Sequence, residues 1–428
     1  MKKRFFSIVL MLVMTLTVLA TANAEEKVNL RFAWWGSDSR NALTTQVVEN
    51  YMAANPNVVI EPEYTSFDSY QDKLITQIAT GTAPDIFQLV DRWFYDFTGE
   101  ENHLYDISTL TDSIDLSKFD QDFLEVYCSV DGNLVGLPNG IGGYVFLVNK
   151  DFFDKFDIPL DTQWTWENIL EIGERVHEQD PECYLLGTDH QSVAHLCYYY
   201  AKQLTGDKWI KDDKTFSLNE EQLTEILAWV DRLYNQGTAE PMSTSALYTS
   251  KTAENPKWIA GSLGMSFQAT SALNPLINAG EFSADHFTVM ALPQMDNPVD
   301  KGCYAGSTNL MAINQNTKYP EEAAKFLDYF YNTVEAGAIL GTDRGMPANN
   351  EVRETLVAEG IITQMDIDAL DIVLANASGI VDNGTSQDTE LEAITYSIVE
   401  AVAYGQLSPE DGAKSMIAQF EDRLSQLR

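Results

Sequence analysis

Strand-like and helix-like segments alternate over the first part of the chain, and this alternation constrains the fold more than any other feature. Apolar residues recur at every second position from Val28 to Trp34, the pattern of a half-buried strand. Strands are predicted at 28–34, 58–64 and 85–90, and helices at 40–54 and 67–80. Parallel strands need a crossover between them, and a helix supplies it. The order therefore predicts a parallel α/β lobe.

Aromatic side chains follow each of the three predicted strands. The residues at these positions are Trp34, Trp35 and Gly36 after the first strand, Phe67 and Asp68 after the second, and Asp91, Arg92 and Trp93 after the third, so each loop presents an aromatic ring together with other residues. Ligands of parallel sheets bind at the carboxyl ends of the strands. An aromatic ring beside polar groups suits a sugar, which has an apolar face and a rim of hydroxyls. Core packing is the alternative for each ring taken alone.

A second body of structure is expected because 428 residues exceed what one core usually supports. Pro138 and the glycines at 140, 142 and 143 interrupt the segment 131–159. They indicate either that the chain crosses here from one domain to another or that it forms a surface loop within one domain. Further helices are predicted at 165–178, 192–204, 219–235 and 320–332, and strands at 263–268, 287–292 and 310–313. The late alternation indicates a return to the first lobe.

Composition excludes several classes of partner. The net charge of −37 repels nucleic acid and anionic lipid. The four cysteines have no zinc-type spacing, and Cys183 and Cys197 could form a disulfide or remain buried thiols. No nucleophile elbow, zinc-protease motif or phosphate loop is present in the sequence.

The first residues have the pattern of an export signal. A basic start at 2–4 precedes an apolar run at 5–19 and the small-residue site Ala22-Asn23-Ala24. We expect residues 1–24 to be a signal peptide that is cleaved after Ala24, and no later apolar run is long enough to span a bilayer.

Several short motifs occur in a characteristic order and spacing. They are AWWG at 33–36, GTAPDI at 81–86, DGNLVGLPN at 131–139, VNK at 148–150, TW at 165–166, MALPQM at 290–295, AGS at 305–307 and Arg344-Gly345-x-Pro347. With these motifs the chain resembles extracellular solute-binding proteins of the multiple-sugar and maltose type, family 1, which are the capture components of ABC importers. The resemblance extends over nearly the whole chain after residue 24.

The resemblance implies an α/β, two-lobed periplasmic-binding-protein fold (type II) in which each lobe is discontinuous in sequence. The implied lobes are 25–138 with 303–345 and 143–297 with 350–428, and the implied crossings are 139–142, 298–302 and 346–349. Ligand is then expected in the cleft between the lobes.

The resemblance also implies a set of ligand contacts. They are Trp35, Gly36, Phe67 to Gln71, Asp91, Arg92, the hinge residue Asn139, Phe267, Gln268, Thr270, Ala305, Gly306, Ser307 and Arg344. Trp258 and Trp209 are further candidates for stacking on a sugar. A uronic-acid ligand would need Arg40, Arg92 and Arg344. We expect Gly341 and Gly345 to expose Arg344 on a loop, with a structural ion pair as the alternative.

The expected function is that of a carbohydrate-binding receptor of an ABC transporter, which binds a mono- or oligosaccharide and delivers it to the membrane permease. We expect a monomer with no enzymatic activity, no cofactor and no nucleic-acid partner. No cysteine before Cys128 could carry a lipid anchor, which favours a soluble periplasmic or extracellular protein. The alternatives are a secreted two-carboxylate glycoside hydrolase and a receptor of the same fold for polyamine or peptide. The identity of the sugar and the presence of a structural calcium stay open.

Overall fold

A computed structural model describes residues 27–427 except 37, 66, 91–92, 94–96, 99–101, 250, 308 and 383. The predicted signal peptide at 1–24 lies outside the described residues. Within those residues, every helix is too short or too polar to cross a bilayer.

The strands are β1 Val28–Trp35, β2 Val58–Thr65, β3 Ile86–Leu89, β4 Ser129–Val130, β5 Asn133–Leu134, β6 Leu137–Pro138, β7 Ile141–Asn149, β8 Tyr184–Gly187, β9 Leu263–Ala269, β10 Phe287–Met290, β11 Ala305–Ser307 and β12 Leu310–Ile313. The helices are α1 Asp38–Ala54, α2 Phe67–Ala79, α3 Gln121–Tyr127, α4 Lys150–Lys155, α5 Asn168–Gln179, α6 His190–Thr205, α7 Glu220–Asn235, α8 Met242–Ser245, α9 Pro256–Ile259, α10 Leu273–Ile277, α11 Pro320–Asn332, α12 Val334–Leu340, α13 Asn350–Ala358, α14 Gln364–Ala375, α15 Thr389–Ala403 and α16 Pro409–Gln426.

The first lobe is built on a sheet with the order β2-β1-β3-β12-β6. Strand β1 is parallel to both β2 and β3, which confirms the predicted alternation of strands and helices. Strand β12 runs antiparallel to β3, and α11 packs Phe326 against Phe32 at 5.4 Å between ring centroids. The predicted late return of the chain to this lobe is therefore confirmed.

The second lobe is built on a sheet with the order β10-β7-β9-β8. One core cluster beside this sheet is formed mainly by helices α5, α6, α7, α15 and α16, and another cluster lies around Trp258 and α10. Helices predicted at 165–178, 192–204 and 219–235 correspond to α5, α6 and α7. Both lobes thus have α/β architecture with their own buried cores.

The segment after Asn139 is ordered differently from the sequence prediction. The glycines at 140, 142 and 143 predict a crossing or a surface loop, but strand β7 already begins at Ile141, because β11 pairs with residues 141–143. Glycine is required at Gly143, where a Cβ atom would stand 2.3 Å from the Tyr304 carbonyl oxygen. The close approach of a distant strand, invisible in the local sequence, converts the predicted loop into sheet.

The other two crossings also differ in position from those implied by the resemblance. Strand β11 pairs with β7 of the second lobe, whereas β12 pairs with β3 of the first lobe. The chain therefore crosses from one lobe to the other after β11 and before β12, and not at 298–302. The buried face of α13 joins the first core through Val352 and Leu356. The core therefore groups α13 with the first lobe, although the implied boundary placed it in the second.

The four cysteines are all buried, free thiols, so the Cys183–Cys197 disulfide that the sequence left open is not formed. Burial raises the pKa of Cys303 to about 12 and raises the pKa of Cys197 as well. The thiolate is the reactive form of cysteine. Reagents therefore react slowly with these thiols, because the side chains are buried and because they stay protonated.

We expect no rapid reaction of the native protein with a disulfide-exchange reagent such as Ellman's reagent at pH 8. After unfolding in guanidinium without reductant, all four thiols should react, because the structure holds them reduced. A titre of two thiols in the unfolded protein would contradict the structure and restore the bridge.

Gly140→Ala should lower the free energy of unfolding by about 1–3 kcal/mol through overpacking. The added Cβ would lie 2.6 Å from the Arg344 carbonyl oxygen and equally close to the backbone of Gly345. Gly379→Ala is the matched control, because its Cβ would have its nearest neighbour at 4.0 Å. Urea unfolding of both variants measures the difference, and equal stabilities would show that the crossings are not in tight contact.

Candidate ligand-binding site

The aromatic residues at the end of β1 pack inside the first lobe. Trp34 is fully buried and its indole Nε1 donates to Asn41 Oδ1 at 2.9 Å. Trp35 is also buried, with the rings of Tyr70 and Trp93 at 5.0 and 5.5 Å between centroids. Core packing, the alternative left open by the sequence, therefore accounts for these tryptophans in this structure.

Arg40 covers Gly36 and forms an ion pair with the loop that follows α12. A Cβ at Gly36 would stand 2.5 Å from Arg40 Cδ, so the glycine admits this side chain. Arg40 Nε lies 3.1 Å from Asp343 Oδ2, and Arg40 Nη2 donates to the Asp343 carbonyl. The charge of Arg40 is thus balanced by a carboxylate within the same lobe.

Arg344 is buried, and the prediction that flanking glycines expose it is wrong. Its side chain is 2 % exposed because the loop folds inward against β3 and α1. Arg344 Nη1 donates to Gln88 Oε1 at 2.8 Å and Nη2 donates to Thr44 Oγ1 at 2.6 Å. Burial, together with the charge of Arg40, lowers the pKa of Arg344 to about 9. These contacts fix the loop to the first lobe.

Asn139 lies in the first crossing and is 6 % exposed. Its Nδ2 donates to Asn309 Oδ1, and its Oδ1 accepts from the Tyr331 hydroxyl at 2.6 Å. The backbone N–H of Asn139 also donates to the Asn309 carbonyl at 2.9 Å. The side chain joins the first crossing to the chain between β11 and β12, and the structure does not present it to solvent.

The three residues of β11 are buried as well. The ring of Tyr304 lies over Gly306, where a Cβ would be 2.4 Å from the tyrosine oxygen. The hydroxyl of Ser307 donates to the Asn309 carbonyl, and Ala305 packs in the core around α10 and β10. Ala305, Gly306 and Ser307 therefore build the crossing in this structure.

Two predicted stacking residues lie in the core of the second lobe. Trp258 is 3 % exposed, its Nε1 donates to the Leu276 carbonyl, and its ring stacks on Phe287. Trp209 is buried between Tyr198 and Phe216. Neither indole has an open face for a ligand.

Several other predicted contacts are described only in part. Asp91 and Arg92 lie outside the described residues, and for Phe67, the first residue of α2, the backbone alone is described. Gln71 is half-buried in α2. These positions stay predictions.

An open pocket of about 370 Å³ lies in the second lobe at the ends of β7 and β9 and the start of α6. Its lining residues include Tyr144, Asp189, Gln191, Ser192, His195, Lys251, Thr252, Phe267 and Gln268. The rings of Tyr144 and Phe267 stack at 4.7 Å with 10° between their planes, and the His195 ring follows at 5.6 Å from Tyr144. Two predicted residues, Phe267 and Gln268, are thus brought together here.

Polar groups border this aromatic stack. Gln268 is half-buried, and its Nε2 donates to Ser266 Oγ at 3.0 Å. His195 Nδ1 donates to the Gln191 carbonyl at 2.8 Å. Asp189 accepts from the Ser192 N–H and caps α6. The pocket therefore offers both donors and acceptors beside an apolar wall.

Lys251 is the exposed cation among the residues that line this pocket. It forms no ion pair with any residue in the described part of the chain. Two of the predicted cations differ from Lys251 in this respect, since Arg40 is paired with Asp343 and Arg344 is buried. A carboxylate on a ligand could therefore reach Lys251 without breaking an existing ion pair.

The two lobes meet at a small cavity of about 20 Å³ beside the crossings. Thr270 and Ser271 of the second lobe face Thr342 and Gly345 of the first across it. Thr270 Oγ1 also accepts from the Gly143 N–H at 3.4 Å. The predicted residue Thr270 thus lies at the base of the region between the lobes.

Tyr144, Asp189, Gln191, His195 and Lys251 were missed as site residues by the sequence interpretation. The position of Asp189 is predictable from the sequence, because Thr188-Asp189 follows a buried strand and Asp189 caps the next helix. Residues between a strand and the following helix are also the predicted ligand contacts of the first lobe. Tyr144 and Lys251 carry no such signal. No group of three metal-binding side chains occurs among the described residues.

Two α/β lobes joined by crossings, with a polar and aromatic pocket at the strand ends, define a two-lobed solute-binding protein. The sequence matches the family described as bacterial extracellular solute-binding protein over residues 36–336. The chain belongs to this family, family 1, as the resemblance implied.

Individual proteins are similar to this chain in sequence or in fold. A Brucella abortus (strain 2308) protein named "Putative binding protein BAB2_0491" is 25% identical over 310 residues, 72% of each chain. The periplasmic solute binding protein ECA2210 from Pectobacterium atrosepticum SCRI1043 superposes with a TM-score of 0.80 at 22% identity, covering 93% of this chain and 99% of that one. A periplasmic oligogalacturonide binding protein from Yersinia enterocolitica, in complex with saturated digalacturonic acid, has a TM-score of 0.75 at 24% identity, with 93% and 99% covered.

Arg344→Ala should lower the free energy of unfolding by about 2–4 kcal/mol, because it leaves a cavity and deprives Gln88 and Thr44 of their buried donor. Arg232→Ala is the matched control: this arginine pairs with Glu167 at the surface, and its loss should cost at most about 1 kcal/mol. Denaturant unfolding measures the free energy of unfolding of both variants. A stable Arg344→Ala protein would contradict the structural role assigned to this residue.

Proposed function

We propose that the protein is the carbohydrate-binding receptor of an ABC importer, which captures a mono- or oligosaccharide between its lobes and delivers it to the membrane permease. The observation that carries the proposal is the pocket of the second lobe, where an aromatic stack is bordered by amide, hydroxyl and imidazole groups. A sugar ring needs that combination, because its faces are apolar and its edges carry hydroxyls.

Binding proceeds without covalent chemistry in this proposal. The sugar first contacts the Tyr144 edge of the pocket and the half-buried Gln268. Bending at the crossings then brings the first lobe over the ligand, as in hinge closure of periplasmic binding proteins. The closed form differs in shape from the open form, and this difference is what a permease can recognise.

The family description, extracellular solute-binding protein, supports export, and we infer a periplasmic or extracellular location with the leader at 1–24 removed. The Yersinia neighbour, which binds an oligogalacturonide, supports a carbohydrate as ligand. Neutral and acidic sugars both remain within the proposal, since Lys251 can meet a carboxylate and the remaining polar groups can meet hydroxyls. The rival hydrolase has no specific observation in its favour.

Gln268→Ala should weaken binding of the cognate sugar roughly tenfold, which is the effect of losing one to two hydrogen bonds at a half-buried site. A thermal-shift screen of plant and microbial oligosaccharides first identifies a sugar that raises the melting temperature, and titration calorimetry then measures affinity. Gln419→Ala, on the exposed face of α16, is the matched control and should bind as wild type.

The same experiment contains the outcomes that would overturn the proposal. Small-angle scattering should show contraction when the sugar is added, and mass spectrometry should recover the sugar intact. A cleaved sugar would favour the hydrolase, and stabilisation by polyamines or peptides in place of sugars would favour the other receptor class. Failure of every carbohydrate to stabilise the protein would remove the carbohydrate assignment.

A further inference from the structure

A groove of about 500 Å³ lies along α1 in the first lobe and shares no lining residue with the pocket described above. It is lined by residues of α1 together with one residue of β2, namely Asp38, Asn41, Ala42, Thr45, Gln46, Glu49 and Tyr64. The resemblance implies no ligand contact at any of these positions.

Tyr64 forms the wall of the groove opposite α1. Strand β2 is at the edge of its sheet, and Tyr64 is the register partner of Trp34 on β1. The two rings lie 5.2 Å apart between centroids with 34° between their planes. Trp34 is fully buried, whereas Tyr64 is 52 % exposed. One face of the tyrosine ring therefore rests on Trp34, and much of the ring is open to solvent.

The helix side of the groove supplies polar groups at helical spacing. Thr45, Gln46 and Glu49 follow one another on the exposed side of α1. Asn41 is held in place, since its Oδ1 accepts from Trp34 Nε1 and its Nδ2 donates to the Gly36 carbonyl at 3.4 Å. A hydroxyl, amides and carboxylates thus stand beside an open aromatic ring, which is the chemistry that suits a sugar chain.

The charges of the groove select among sugars. Its ionisable lining groups are Asp38, Glu49 and the Tyr64 phenol, and none of its lining residues is basic. Carboxylates accept hydrogen bonds from hydroxyls and repel other carboxylates. The groove therefore favours a neutral oligosaccharide over an acidic one.

The groove begins at the edge of the interlobe region. Asp38 opens α1 two positions after Gly36, and both β1 and β2 end at this edge of the sheet with Trp35 and Thr65. From Asp38 to Glu49 the helix rises about 16 Å. A chain that leaves the space between the lobes beside Gly36 could continue along this path.

We propose that this groove is an outer subsite for the part of a neutral oligosaccharide that extends beyond the interlobe site, with Tyr64 as its stacking residue. The inference rests on the proposed carbohydrate function and adds a preference for long, uncharged chains. If the only role of Tyr64 were to shield Trp34 from solvent, replacing Tyr64 would lower the stability of the protein. Its effect on sugar affinity would then be the same for short and long sugars.

The test is a glycan array that carries disaccharides, tetrasaccharides and hexasaccharides of starch, cellulose, xylan, arabinan, galactan and mannan, with galacturonan fragments as the acidic comparison. Calorimetry then measures the affinity for each glycan that binds the wild-type protein on the array. Tyr64→Ala should weaken hexasaccharide binding roughly tenfold and change disaccharide binding less than about twofold. Tyr64→Phe keeps the ring and should behave as wild type.

Two further variants make the result interpretable. Tyr404→Ala removes another exposed tyrosine, in the second lobe, and should leave all affinities unchanged. Gln46→Ala lies on the exposed helix face and should weaken hexasaccharide binding a fewfold with the fold intact, which keeps the test decisive if Tyr64→Ala is unstable.

Each remaining outcome overturns the subsite. It is wrong if the Tyr64 and Gln46 variants weaken long and short sugars equally or not at all, or if wild type binds hexasaccharides no more tightly than disaccharides. In those cases the receptor function stands, because short sugars still bind. Retention of no glycan of any length would overturn the subsite and the carbohydrate function together.

Discussion

The close contact between the chain crossings is the constraint on which the rest of the structure depends. Gly140 lies against the backbone of Arg344 and Gly345, and Gly143 lies against the Tyr304 carbonyl. The buried amide of Asn139 has to be satisfied there, and Asn309 and Tyr331 satisfy it. Close backbone contacts and buried hydrogen bonds at the crossings therefore hold the two lobes together, and the lobe closure proposed above would have to occur through a few backbone angles there.

This constraint explains why several polar residues near the crossings are engaged inside the protein. Arg344 donates to Gln88 and Thr44, and Arg40 pairs with Asp343, so the loop between α12 and α13 is fixed to the first lobe. A guanidinium that holds the fold in this way is costly to divert to a ligand. In the second-lobe pocket that we propose as the site, Gln268 is half-buried and Lys251 is exposed, so contact with a solute there would carry less of this cost.

The features that the sequence predicts well are those set by local pattern. The strands and helices of the first lobe follow from alternation and periodicity, and α5, α6 and α7 of the second lobe follow from helical periodicity. What fails is decided by distant residues: Arg344 is buried by partners 256 and 300 positions away, and Gly142 and Gly143 form sheet because β11 pairs with them. Phe267 and Gln268, which the resemblance implies as ligand contacts, line the second-lobe pocket, whereas Tyr144 and Lys251, which line it too, have no local signature in the sequence.

The charge of the chain bears on how any solute is captured. With a net charge of −37 the protein repels anions at long range, and this repulsion is screened beyond about 8–10 Å at physiological salt. The net charge of the protein neither attracts nor repels a neutral sugar. The affinity for such a sugar is therefore set by ring contacts and hydrogen bonds at the binding site. An acidic sugar gains from Lys251 only after it has entered the pocket, and it meets Asp189 there as well. The acidic surface therefore opposes the approach of an anionic solute, whereas inside the proposed pocket Lys251 and Asp189 act on its charge in opposite directions.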